Sequence, residues 1–226
     1  MPGRHIDREF ESELDQLRQK LILMAGRVEE MIRQAIKAIV TGDSALARNT
    51  VLMDRGVNRA EREIDELCLL ILAKRHPLAS DLRFVTLALK MVTDLERIGD
   101  LAVNLCERAV DLAGRRLVVP TSGIERLADA VQAMVRSAID AFVAHDVDRA
   151  EAVIASDDHV DDGYHDLFEA ILAAMTADPT AIEEGIHLQS VCKVLERIGD
   201  HATNLAEEVI FLVRGTDVRH AGKLME

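Results

Sequence analysis

Leu95-Glu96-Arg97-Ile98-Gly99-Asp100 decides how this chain is read, because it returns letter for letter as Leu195-Glu196-Arg197-Ile198-Gly199-Asp200. The register continues through Ala102/Ala202, Asn104/Asn204, Leu105/Leu205 and Glu107/Glu207, which makes ten identities over the thirteen positions 95–107. That density at a fixed shift of 100 residues marks an internal duplication, so the copied block points to what both halves share. Leu95, Ile98, Ala102, Leu105, Ala109 and Leu112 recur three and four residues apart, the apolar stripe of a helix. With 3.6 residues per turn, Glu96, Asp100 and Asn104 are expected one turn apart on the face away from that stripe, as are Glu196, Asp200 and Asn204. They then point to solvent, or to something bound there.

Composition agrees with a helical chain. Apolar residues make up 49% of the 226 while aromatics are only 3%, and 4 Pro and 12 Gly leave few breakers, so helices packed on Leu, Ala, Val and Ile are expected. Asp and Glu number 40 against 27 Lys and Arg, a field that repels nucleic acid and anionic lipid and attracts cations. Cys68, Cys106 and Cys192 are odd in number, far apart and without a Cys-x-x-Cys, which suits a reducing cytoplasm and three buried hydrophobes. No apolar signal core follows Met1, and the longest apolar run, Leu67 to Ala73, is too short to span a bilayer, so a cytoplasmic protein is expected.

Along the chain, the apolar spacing predicts helices over about 7–40, 44–75 and 79–113, a non-helical link over 115–123, and helices over about 124–144, 148–177 and 179–214. Thr41-Gly42-Asp43 carries a C-terminal glycine and a capping Asp, Pro77 closes the second helix, and Asp178-Pro179 opens the sixth. The expected fold is all-α: two tandem antiparallel three-helix bundles related by duplication, residues 1–114 and 124–214, with a polar tail over 215–226.

The helix before each copied block offers a second oxygen-bearing ridge, Asp54 with Asn58 in the first half and Asp157 with Asp161 in the second. Carboxylates from two neighbouring helices repel one another unless a cation relieves them. All-oxygen donors suit hard ions such as Mg²⁺, Ca²⁺, Mn²⁺ or Fe³⁺ rather than zinc or copper. The ten residues read as metal ligands are therefore Glu96, Asp100, Asn104, Glu196, Asp200, Asn204, Asp54, Asn58, Asp157 and Asp161. A di-iron bundle needs Glu-x-x-His on two helices; Glu184-Gly185-Ile186-His187 supplies it once, against Phe84 and Leu87 in the first half. No Gly-rich phosphate loop, nucleophile motif or Ser/His/Asp pattern is found, so the reading is non-enzymatic. His159 and His201 border the second ridge without first-half equivalents and read as solvated, and Arg97 reads as pairing within its own helix.

Val57-Asn58-Arg59-Ala60-Glu61-Arg62-Glu63-Ile64-Asp65-Glu66, Pro77-Leu78-Ala79-Ser80-Asp81-Leu82-Arg83, Asp94 to Asp100 and Glu196 to Asn204 together resemble the PhoU family of bacterial phosphate-uptake regulators over nearly the whole chain. The resemblance implies a cytoplasmic homodimer of two three-helix bundles. It implies a negative regulator connecting the ATPase subunit of the phosphate ABC transporter to the sensor histidine kinase of phosphate-starvation genes, at the membrane only through those partners. It also implies multivalent metal ions, iron, manganese, magnesium or zinc, at Glu/Asp-x-x-x-Asp motifs, which fall here on Glu96/Asp100, Glu196/Asp200 and Asp157/Asp161. Asn58 departs from that pattern and lowers the charge of the first cluster. The competing reading is a metal-dependent enzyme, a phosphohydrolase or iron oxidase, built on the same ridges.

Overall fold

The computed structural model describes residues 3–216 and, among them, helices joined by short connections. In chain order these are α1 (Gly3–Thr41), α2 (Ser44–Val51), α3 (Asp54–Arg75), α4 (Ala79–Leu112), α5 (Thr121–Ala144), α6 (Val147–Ala155), α7 (Asp157–Ala177) and α8 (Ile182–Arg214), with a 3₁₀ turn at Pro179–Ala181. The six-rod plan holds, with α2–α3 and α6–α7 each forming one rod interrupted by a single turn. The polar tail beyond residue 216 lies outside the described residues.

The interruption has a local cause. The buried Thr50 hydroxyl sits 2.9 Å from the Leu46 carbonyl and 2.9 Å from Gln34 Oε1, and Ser156 Oγ donates to the Val153 carbonyl at 2.7 Å. Hydroxyls that take carbonyls of the preceding turn compete with the helical ladder. Backbone bonding tightens to the three-residue pattern there, Met53 to Thr50 at 2.9 Å and His159 to Ser156 at 3.2 Å. The consequence is positional: Asp54 and Asp157 each become the first residue of a new helix, α3 and α7.

Termini follow the sequence signals. Gly42 takes φ +67° after α1, and Asp43 accepts hydrogen bonds from the free amides of Ala45 and Leu46 at 3.0 and 2.9 Å. In the second half His145 occupies the left-handed position instead, φ +51°, followed by Asp146 capping Arg149.

Each half packs its three rods around α4 or α8, and the repeated block is the centre of both cores: Leu95, Ile98, Ala102 and Leu105, like Leu195, Ile198, Ala202 and Leu205, are fully buried. The halves then join through α4 and α8, with α1 against α5. The cross-seam partners show that α4 and α8 run antiparallel: Lys90 meets Glu208 at 3.0 Å, Asp94 meets His201 at 2.8 Å, and Asp111 meets His187 at 3.5 Å. Phe84 and Phe142 stack across the same seam with centroids 6.2 Å apart. His201 is therefore a bonded seam residue and not the solvated one its sequence position suggested. Glu184 and His187 likewise belong to the seam, paired with Arg115 and with Arg108 and Asp111, and do not form a di-iron half-site. The three cysteines are free and buried, and burial pushes the Cys68 and Cys192 thiols up to about 12 and Cys106 to about 11, which keeps them protonated and inert. No described helix is long and apolar enough to cross a membrane.

Candidate functional site

Gly99 and Gly199 bring the two ridges of each half together. A Cβ at Gly99 would stand 3.1 Å from Val57 Cγ1 and 3.8 Å from Asp54 Oδ1; at Gly199 the same positions are Val160 Cγ1 at 3.3 Å and Asp157 Oδ1 at 3.8 Å. The missing side chain lets the start of α3 or α7 lie against the middle of α4 or α8. Close helix approach and an acidic neighbour are thus one arrangement, repeated in both halves.

This contact also corrects the expected outward ridge. Glu96 and Glu196 keep only 18% and 15% of their side chains exposed, because they lie in the groove beside the preceding helix and not on the far side of their own. Asp100 stands at the outer edge, 48% exposed.

In the first half, Asp54 Oδ2 accepts a hydrogen bond from Asn58 Nδ2 at 2.7 Å, while its buried Oδ1 has no partner. Burial, then the nearby charge of Asp100, raises the Asp54 pKa. Burial and Asp100 raise that of Glu96 as well, with Glu61 adding to the same effect and Arg97 opposing it. Arg97 reaches Glu96 at 3.7 Å and Asp100 at 3.8 Å, the intrahelical pairing its sequence position predicts, at distances too long for strong compensation.

The second half repeats the pattern with different neighbours. Burial, then Asp161 and Asp200, raises the Asp157 pKa, partly offset by the Thr203 hydroxyl beside it. Burial, then Glu196, raises that of Asp200, with Lys193 opposing. Lys193 Nζ lies 2.7 Å from the Glu196 carboxylate.

The asparagines separate. Asn58 belongs to its cluster, Asn104 is exposed a turn beyond Asp100, and Asn204 donates across the seam to Asp94 at 3.3 Å. Glu61, Lys193 and Thr203 join the clusters although the duplication does not carry them: Tyr164, Thr93 and Val103 stand at the corresponding places. Only helical spacing toward a partner helix, which one strand of sequence does not specify, could have found them.

Among the described residues no three His, Cys, Asp or Glu side chains converge as a group that could hold a metal ion. The carboxylates are instead crowded and partly buried, Asp54 and Asp157 having their pKa values raised by burial and then by acidic neighbours, with the buried Asp54 Oδ1 unsatisfied. That donor chemistry fits a hard cation and needs side-chain rotation to close a shell.

The PhoU domain family model matches residues 21–109 and again 124–209, spanning both copies of the repeat. The chain belongs to the PhoU family. Among its relatives, the phosphate-specific transport system accessory protein PhoU homolog of Pseudomonas aeruginosa is 43% identical over 96% of this chain and 90% of that protein. The Escherichia coli phosphate-specific transport system accessory protein PhoU is 34% identical over 97% and 91%. Two solved structures share the fold: PhoU from P. aeruginosa at TM-score 0.88 and 41% identity, covering 92% of this chain and all of that one, and the phosphate transport system regulatory protein PhoU from Streptococcus pneumoniae at 0.86 and 25%, covering 92% and 99%. All-α PhoU-family architecture with two PhoU domains in tandem is thereby established, as is a place among proteins named for phosphate transport.

Proposed function

We propose that this PhoU-family chain is a non-enzymatic negative regulator of phosphate uptake and phosphate-starvation signalling, an adaptor between the ATPase subunit of the phosphate ABC transporter and its sensor histidine kinase. The observation that carries the reading is near full-length similarity, in both repeats, to proteins named as phosphate-transport accessory proteins. Long exposed helix faces are the material an adaptor offers, and the cytoplasm, with the chain as a homodimer, is where such partners present their soluble parts.

The acidic clusters serve that role as cation sites. Asp54, Glu96 and Asp100 with the Asn58 carbonyl oxygen would hold an ion in the first half, and Asp157, Asp161, Glu196 and Asp200 in the second. A bound multivalent ion supplies positive charge between two helices that otherwise repel. Asn104 and Asn204 are peripheral to both sites, since Asn204 is engaged with Asp94.

Binding to purified partners tests the adaptor reading. The full chain immobilised at physiological salt should bind the ATPase subunit and the kinase separately, each saturably. A chain that binds neither, while showing turnover of phosphate esters that disappears in Asp100→Ala and Asp200→Ala, replaces the adaptor by an enzyme.

A further inference from the structure

The two halves differ in charge along the outer faces of α3 and α7. Arg55, Arg59 and Arg62 follow one another at spacings of four and three along α3, a strip about 10 Å long that continues through Glu66 to Leu69 and Leu70. All three guanidinium-bearing residues are exposed, as are Leu69 at 61% and Leu70 at 40%. The corresponding residues of α7, at the shift of 103 that superposes Asp54 on Asp157, are Asp158, Asp162, His165, Glu169, Leu172 and Ala173. The apolar end is kept at Leu172, 48% exposed, while the charged end is inverted.

The three arginines are only lightly engaged among the described residues, Arg59 acting at a distance on Glu63, whose main partner is Lys20. Among the described residues, none of the three makes a salt bridge; Arg62 Nε reaches only the Asn58 carbonyl at 3.3 Å. Arg33, Arg75, Arg115 and Arg149 each sit on a carboxylate within 3.0 Å. In a chain with 40 acidic and 27 basic residues, three exposed arginines in a row stand against the general field. Arg27 from α1 adds a fourth cation beside them, donating to the Gly56 carbonyl at 2.9 Å, where the second half has Ala130.

We propose that the outer face of α3, Arg55, Arg59 and Arg62 running into Leu69 and Leu70, is a docking strip for an acidic protein surface, and that its inversion on α7 makes the two halves bind different partners. This rests on the adaptor reading and assigns a half to a partner by charge. Arginine is enriched at protein interfaces, the exposed leucines add apolar area beside it, and guanidinium forks match carboxylates two oxygens at a time. A single free phosphate is too small for guanidiniums spread along two turns of a helix. Nucleic acid and anionic lipid meet the acidic excess of the whole chain and the Asp54/Glu96 cluster around the same helix.

The test titrates the purified ATPase subunit and the purified kinase against the full chain, the Arg55→Glu/Arg59→Glu variant and the Asp158→Lys/Asp162→Lys variant, with thermal unfolding confirming that these exposed changes leave the fold intact. The first variant should weaken one partner about tenfold or more and leave the other within about twofold, with the wild-type affinity for the lost partner falling steeply with salt. The α7 variant should leave that same partner's affinity unchanged. Wild-type chain binding both partners with neither affected by Arg55→Glu/Arg59→Glu overturns the strip. So does a variant that loses only binding to vesicles of anionic lipid or to duplex DNA. Wild-type chain binding neither partner instead removes the adaptor reading itself.

Discussion

Adding Mn²⁺ or Mg²⁺ at one hundred times its dissociation constant should raise the unfolding free energy by about 2.7 kcal/mol for each occupied cluster, roughly 5–10 °C in melting temperature for a chain of this size. The cause is the uncompensated charge between α3 and α4 and between α7 and α8. Asp54 keeps a buried oxygen without a partner, Asp157 faces the charges of Asp161 and Asp200, and Asp200 faces those of Glu196 and Asp161. Changing Asp54, Asp100, Asp157 and Asp200 together to Asn should abolish the cation response while leaving the cation-free protein as stable as wild type or more so, because repulsion goes with the ligands. Calorimetry with and without a chelator reads both.

Protons compete for the same groups, and the sign is fixed. Asp54, Glu96, Asp157 and Asp200 have folded pKa values above their ordinary ones, so the folded chain takes up their protons first. The penalty for keeping them charged, present at neutral pH, is relieved as pH falls through those raised values, until the unfolded chain also protonates in the ordinary carboxylate range. Glu13, Glu30 and Glu63 run the other way: arginine or lysine partners hold them low, and their stabilisation is lost only at more acid pH. The melting shift caused by the cation should therefore shrink as the pH is lowered from neutral toward the ordinary carboxylate range, and a shift that stays constant down to that range would place the ion elsewhere.

The second large effect separates core from cluster within one turn of helix. Leu195→Ala empties a fully buried position at the centre of the second half and should cost about 2–5 kcal/mol. Glu196→Gln, at the next residue, keeps the size and removes a half-buried charge, and should leave stability within about 1 kcal/mol of wild type while weakening cation binding. Denaturant unfolding reports the first, and cation titration the second. Comparable stability losses in the two variants would mean that the carboxylate is structural.

What the sequence made legible was whatever repeats. Leu95, Ile98 and Leu105 return as Leu195, Ile198 and Leu205 at helical spacing, and that alone implies two like bundles, each built round its third long rod. Asp54/Asp157 and Glu96/Glu196 were legible as ridges for the same reason. Their burial was not, because apolar periodicity says which face of a helix is buried but not how near the neighbouring helix lies; Gly99 and Gly199 set that distance. The interruptions before Asp54 and Asp157 escaped because Leu52, Met53 and Ser156 sit inside an otherwise helical pattern, and the hydroxyl bonds of Thr50 and Ser156 are tertiary and local details invisible to it. The seam escaped too. Asp94 pairs with His201 and Asn204 across antiparallel α4 and α8, although neither Asp94 nor His201 is matched at Val194 or Leu101. Residues that break the repeat are where the two copies meet each other and where they face different neighbours.

The most direct measurement of the central claim is expression from a phosphate-starvation promoter in high phosphate, in a strain whose copy of this gene is deleted. A negative regulator predicts full derepression, reversed by the wild-type chain supplied in trans; promoter activity that stays at the repressed level without the gene would contradict it.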